Sequence, residues 1–216
     1  MAAPADPHAA QPVARAGAPL ERAAGAVVLL HGRGATAESI LALAGELDRP
    51  DLAYLAPQAA GSTWYPYSFL APLAANEPWL SSALAAVGRA LALAAAAGHG
   101  AGRVALVGFS QGACLALEHV ARAPRRYAGV AGLSGGLIGP DGAPRPLPPA
   151  GAERPLAGTP VFLGCGVPDP HIPAARVEET AGVLEALGGA VTMRLYPGLG
   201  HTVNADELAH VRRLLP

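Results

Sequence analysis

Val104-Ala105-Leu106-Val107-Gly108-Phe109-Ser110-Gln111-Gly112-Ala113-Cys114-Leu115-Ala116-Leu117 is the stretch on which the reading of this chain turns. Its first part is a compact apolar run with valines, which predicts a buried strand. Its last part is rich in Ala and Leu, which predicts a helix. Between them lies Gly-x-Ser-x-Gly, at Gly108, Ser110 and Gly112. A chain that turns sharply from strand into helix has no room for side chains two positions either side of the apex, so glycine is wanted there. The apex serine is held in a strained conformation and pushed out of the fold. The first amides of the following helix point at the same spot and favour negative charge.

Composition sets the frame for this turn. A chain of 216 residues fits one domain, which buries roughly 70% of its unfolded surface. With 51% hydrophobic and only 14% charged residues, it can build a full core. The net charge of −1 and the lack of a basic stripe argue against nucleic acid or an acidic membrane as partner. No apolar run reads as long enough to span a bilayer, so no integral membrane association is expected. All 15 basic residues are arginine, which removes lysine-based Schiff-base chemistry, PLP linkage and the lysine-dependent phosphate loop. Cys114 and Cys165 each sit in an apolar segment and read as reduced core thiols. Two cysteines make a metal site improbable, and no metal is expected.

Outward from the serine, strands and helices alternate. Residues 1–19 are Ala/Pro-rich without periodicity and are expected to form a disordered tail, with residues 20–216 as a single domain. That tail has no basic start followed by an apolar block, so a secretory signal is not expected and the location is expected to be cytoplasmic. Strands are expected at Ala26–Leu30, 52–56, 130–133, 161–165 and 191–196. Thr36 caps a helix through Leu47, and Asn76-Glu77-Pro78 starts another that runs to about Ala97. A further helix covers 173 to about 187, and Asn204 with Glu207 forms a variant capping box for the last one. Residues 140–160 hold seven prolines and are expected to be an excursion loop. Four of the ten aromatics, Trp64, Tyr65, Tyr67 and Phe69, fall within six positions, as a loop pinned on the core or a wall over the site. Strands that are uninterrupted apolar runs are covered on both faces. The fold class is therefore α/β: a mainly parallel central sheet with helices on both faces.

In such sheets the ligand site lies at the strand C-terminal ends. His31, Ser110, Ser134, Asp169 and His201 all follow strands, and so share one edge. A serine nucleophile needs a base, and the base an orienting acid. His201 follows a Gly-rich turn and is the last candidate in the chain, as the order Ser, Asp, His requires. Asp169 follows the 161–165 strand by a short Gly-Val-Pro turn, whereas Asp141, Glu178 and Glu179 lie in the loop or inside a helix. His31 is expected to make structural hydrogen bonds and His171 to line the pocket. His8, His99, His119 and His210 are expected at surface or packing positions. The oxyanion hole is expected from the amides of Gln111, straight after the nucleophile, and of Arg33, in the turn after an early strand. The Arg33 side chain could reach a substrate carboxylate or pair with a nearby acid; the second is preferred.

The chain resembles the phospholipase/carboxylesterase group of α/β-hydrolases, which includes acyl-protein thioesterases and small bacterial carboxylesterases. The resemblance runs from about Val27 to the C-terminus. It rests on Leu29-Leu30-His31-Gly32-Arg33-Gly34, Gly108-Phe109-Ser110-Gln111-Gly112-Ala113, Asp169-Pro170-His171-Ile172-Pro173 and Gly200-His201. It implies the catalytic set Ser110, Asp169 and His201, the Arg33/Gln111 oxyanion hole, no large cap domain and no cofactor. Arg33 stands where the thioesterases tend to carry an apolar residue, and the aromatic stretch and Pro-rich loop are further departures. Trp64, Tyr65, Phe69, Leu70, Ile172 and Val203 are the expected acyl wall. An uncapped, open cleft predicts a serine carboxylesterase for small or short-chain acyl esters. The alternatives are an acyl thioesterase or lysophospholipase on longer chains, and a hydrolase-fold binding module without chemistry. Exposed aromatics near the cleft would allow a homodimer.

Overall fold

Both faces of the central strands carry side chains into separate cores. In β2 (Ala26–Leu30), Ala26, Val28 and Leu30 enter one cluster and Val27 and Leu29 the other, all fully buried. β4 (Val104–Phe109) divides in the same way. Period-two alternation over two buried faces is why these strands read as unbroken apolar runs. The computed structural model describes residues 6–149 and 151–216. It adds β1 (Val13–Gly17), β3 (Ala53–Pro57), β5 (Gly129–Leu133), β6 (Pro160–Val167) and β7 (Ala190–Pro197) to form one sheet, in the order β1-β3-β2-β4-β5-β6-β7. All neighbours run parallel except β1, which pairs antiparallel with β3. The expected mainly parallel α/β fold is the one found.

Helices α1 (Ala37–Leu47) and α5 (Ala205–Leu214) cover one face. Helices α2 (Trp79–Ala96), α3 (Gln111–Arg122) and α4 (Ala174–Ala186) cover the other. The expected caps form: Thr36 accepts from the Ser39 amide, and Asn204 and Glu207 cap α5 reciprocally. After β2 the chain winds toward β3, and after β3 it crosses to β4 on the other side of β2. The loops leaving β2 and β4 therefore diverge, which opens a crevice between their C-terminal ends.

Three expectations are corrected. From residue 6 onward, the segment expected as a tail is built into the fold. β1 pairs along β3 from Val13↔Pro57 to Gly17↔Ala53, and His8 is buried, with Nδ1 accepting from the Ala60 amide at 3.0 Å. An edge strand is held by backbone hydrogen bonds, so it needs no apolar periodicity to announce it; residues 1–5 lie outside the described residues. Second, α2 does have the length and composition of a membrane span, with 18 residues and a mean hydropathy of 1.5. Its Leu80, Val87 and Leu91 are buried in the core, the role of an Ala-rich helix packed on a sheet. Third, Asn76 does not cap α2, which begins at Trp79. Its Oδ1 accepts from the Tyr67 amide at 2.9 Å and its Nδ2 donates to Ser68 O at 3.0 Å.

The Pro-rich loop has no strand or helix among its described residues before β6, and two arginines tie it down. Arg145 donates to the buried Glu118 at 3.0 Å and to Ile138 O at 2.7 Å. The buried Arg176 donates to Asp141 Oδ1 inside the loop at 2.5 Å and, just before it, to Leu137 O and Gly139 O, each at 2.8 Å.

Burial of His119 is expected to make the fold acid-sensitive. His119 on α3 is held down to about 4, first by burial and then by the charge of Arg125. The unfolded chain therefore binds this proton below about pH 6.5 and the native chain only near 4. Stability is complete above the unfolded value and falls with pH through that window. This group alone is expected to remove about 2 kcal/mol between pH 7 and pH 5. Urea titrations of wild type and His119→Phe at both pH values check this. The variant should show a shallower loss, and an equal loss would sink the assignment.

Candidate active site

Ser110 stands at the apex between β4 and α3 with φ 56° and ψ −123°, a conformation disfavoured for any residue with a side chain. The flanking glycines answer to close backbone approach. A Cβ on Gly108 would sit 2.3 Å from Gly112 O, and one on Gly112 would sit 2.1 Å from Leu30 O. The strained backbone is held by hydrogen bonds from Ser110 N to Leu133 O (2.9 Å) and from Cys114 N to Ser110 O (3.0 Å).

His201 arrives from the turn after β7, where Gly198 and Gly200 take φ values of 76° and 72°. This turn lies directly on β6: a Cβ on Gly166 would come within 2.0 Å of Gly200 O. Asp169 follows β6. Its Oδ1 accepts from the amides of His171 (2.8 Å) and Ile172 (3.0 Å), which leaves Oδ2 for His201 Nδ1 at 2.7 Å. His201 Nε2 lies 2.9 Å from Ser110 Oγ. The three side chains thus form one hydrogen-bonded line across the crevice. Burial alone would raise the Asp169 carboxyl, but the hydrogen bonds from His201 and the two amides outweigh it and hold the group below its usual value. The rings of Phe109 and His171 pack on His201, at 5.0 and 4.8 Å between centroids.

Ser110 opens onto a cleft of about 580 Å³. Arg33 and Gln111 line it together with Ser110, His171 and His201. Gln111 is the first residue of α3, where amides have no partner within the helix. Among the described residues the Arg33 amide has no protein acceptor. Of the expected wall, Tyr65, Phe69 and Ile172 line the cleft. Trp64, Leu70 and Val203 do not. Trp64 is fully buried between the rings of His8 and His31 and donates from Nε1 to His31 O at 2.9 Å, so its polar edge is satisfied inside the core. Leu70 and Val203 pack against the two cores instead. His31 makes the structural bonds expected of it, with Nε2 accepting from the Ala59 amide at 3.1 Å.

Several lining residues were not foreseen. Pro66 and Ser68 continue the wall on either side of Tyr67, which the aromatic stretch had offered as wall, and their place within that stretch was the available signal. Cys114 reaches the cleft from α3, but burial pushes its thiol up to about 11, so it is no rival nucleophile. Among the described residues the Arg33 guanidinium meets no acid, contrary to the preferred pairing. It reaches Thr63 and three backbone carbonyls of the aromatic stretch. Among the described residues no three His, Cys, Asp or Glu side chains group to hold a metal ion.

The family model described as Phospholipase/Carboxylesterase matches residues 12–215. Among solved structures, the chain is similar to the phospholipase/carboxylesterase from Dyadobacter fermentans, with 43% identity and a TM-score of 0.87 over 94% of this chain and 95% of that one. It is also similar to esterase PE8, with 28% identity and a TM-score of 0.72 over 94% and 96% of the two chains. Among curated relatives, acyl-protein thioesterase 1 of Gibberella zeae is 34% identical over 113 residues, 52% of this chain and 47% of that protein. Esterase YpfH of Escherichia coli is 32% identical over 123 residues, 55% and 48% of the two. The chain spans about half the length of the curated relatives it matches.

Proposed function

Because the chain belongs to the phospholipase/carboxylesterase family and has the α/β-hydrolase fold, we propose that it is a serine carboxylesterase acting on small or short-chain acyl esters. The observation that carries this reading is the hydrogen-bonded line from Asp169 through His201 to Ser110, ending at a strained serine that faces an open cleft.

The geometry supports the following course of reaction. Asp169 Oδ2 accepts a hydrogen bond from His201 Nδ1–H, which keeps that proton on Nδ1 and leaves the Nε2 lone pair to take the proton of Ser110 Oγ. The freed oxygen attacks the acyl carbonyl carbon. The amides of Arg33 and Gln111 receive the charge that develops on the carbonyl oxygen. The ester C–O bond then breaks, and the alcohol leaves with the proton carried by His201. Water repeats the cycle on the acyl-enzyme, releasing the acid and restoring Ser110. No cofactor takes part in this scheme.

Tyr65, Phe69 and Ile172 offer apolar surface to an acyl group, and Tyr67, 61% exposed, stands at the rim. A second reading, hydrolysis of longer acyl esters or thioesters, draws on relatives named acyl-protein thioesterase 1 and on a cleft from which a chain could run into solvent past Tyr67. Turnover of p-nitrophenyl esters of increasing acyl length, on enzyme counted by fluorophosphonate titration, separates the two. The short-chain reading expects one adduct per chain and kcat/KM that falls as the acyl chain lengthens, because added methylenes find no apolar surface to bury against; buried ones would each add about 0.8 kcal/mol of binding. A steady rise to long chains favours the second reading. No adduct and no turnover on folded protein would reject both.

A further inference from the structure

We propose that the Arg33 guanidinium is a positioning group that locks the substrate wall to the oxyanion side of the cleft, and that it is not a receptor for a substrate carboxylate. The functional part of this inference rests on the ester-hydrolase reading above.

A guanidinium carries four Nη hydrogens and one on Nε. In Arg33, Nη1 donates to Thr63 Oγ1 and Pro66 O, each at 3.0 Å. Nη2 donates to Tyr65 O and Tyr67 O, each at 2.9 Å. All four Nη hydrogens are therefore committed. Bidentate capture of a carboxylate needs two N–H groups on one edge of the fork. Each edge of Arg33 now contains at least one spent donor, so an anionic substrate would have to break the clamp to bind there.

What the clamp holds is the wall itself. Three successive carbonyls, from Tyr65, Pro66 and Tyr67, converge on one cation. Like-oriented carbonyl dipoles repel one another, so the arrangement needs a donor set with a fixed planar spread. An ammonium offers three donors from a single point and cannot reproduce it. Gln111 grips the same segment from the α3 side. Its Oε1 accepts from the Trp64 amide at 3.0 Å and its Nε2 donates to Tyr65 O at 2.9 Å. Tyr65 O is thus a node shared by the side chains of the two residues whose amides are assigned to the oxyanion. The Tyr65 ring, buried and lining the cleft, lies 6.0 Å from the Arg33 guanidinium carbon. Gly34 N donates to Ser62 O at 2.8 Å and ties the two loops once more. A shift of the wall therefore pulls on the turn that carries the Arg33 amide. Misplacement of reacting groups by about 1 Å is enough to cost roughly 10²-fold in rate.

The test uses the full chain with Arg33→Met and Arg33→Lys. Steady-state kinetics are measured on p-nitrophenyl butyrate, which is neutral, and on p-nitrophenyl hemisuccinate, which is anionic. Hydrogen exchange is followed at the amides of Trp64, Tyr65 and Tyr67. Both variants are expected to lose about 10²-fold in kcat on both esters. Both should also exchange faster at those amides. Methylguanidinium should restore part of the Arg33→Met activity, and methylammonium none. The proposal is overturned if Arg33→Met keeps its kcat on the neutral ester and loses only KM for the anionic one, or if Arg33→Lys is fully active. The exchange measurement does not depend on turnover. Inactive wild type would sink the esterase reading, while unchanged exchange in Arg33→Met would sink the clamp.

Discussion

Ser110→Ala is expected to abolish labelling by a fluorophosphonate and to lower kcat by about 10⁶-fold on any ester the wild type turns over. A methyl group has no proton to give His201 Nε2 and no oxygen to attack the carbonyl. Binding should persist, because the cleft walls and the assigned oxyanion amides are untouched. The residual rate above water should therefore be about 10³-fold, supplied by those amides and by binding. The fold should also persist. Alanine keeps the Cβ that makes φ 56° unfavourable, so the strain at the apex is neither relieved nor increased, and the hydrogen bonds through Ser110 N and O are made by the backbone. An unchanged thermal midpoint beside the lost label would tie the effect to chemistry. His201→Ala should cost about as much, and the double variant little more, since nucleophile and base act as a unit. Retained labelling in Ser110→Ala would move the nucleophile elsewhere.

Asp169→Asn is expected to cut kcat by about 10⁴-fold with little change in KM. The reason lies in how the two carboxylate oxygens are used. Oδ1 accepts from two backbone amides and Oδ2 from His201 Nδ1. An asparagine has one acceptor oxygen, and the His171 and Ile172 amides would hold it. The NH₂ group then faces His201 Nδ1 and can only donate to it. That forces the imidazole proton onto Nε2, where it blocks acceptance from Ser110 Oγ. The side chain keeps its shape, so the loss reports the wrong tautomer and not a collapsed site. Less than a tenfold loss in kcat would show that Asp169 does not orient the base. The native carboxyl also links the site to acid. Its value is held below that of the unfolded chain, so its contribution to stability is present above the unfolded value near 3.8 and is lost as pH falls through the lower native value.

Much of the architecture was legible because the signals were local. Unbroken apolar runs at β2 and β4 follow from burial on both faces, and the Gly108-Phe109-Ser110-Gln111-Gly112 turn follows from backbone crowding within five residues. The placement of Ser110, Asp169 and His201 at one sheet edge follows from parallel topology, which puts every strand C-terminus on the same side. What failed was information carried by side-chain direction or by backbone pairing. Trp64 and Tyr65 are adjacent in sequence, yet one fills the core between two histidines and the other faces the cleft. β1 read as tail because an edge strand draws on hydrogen bonds that every residue can make.

The order of strands and helices from β2 onward, the strained serine and the candidate partners that follow sheet ends were legible in residue identity, since each depends on neighbours a few positions away. Only the tertiary structure decided what Arg33 and Asn76 do. Arg33 binds the Thr63 hydroxyl and the carbonyls of residues 65–67 from 30 or more positions away, and Asn76 binds the Tyr67 amide and the Ser68 carbonyl from eight or nine across an irregular loop. Backbone acceptors of this kind leave no mark in residue identity, because every residue carries one.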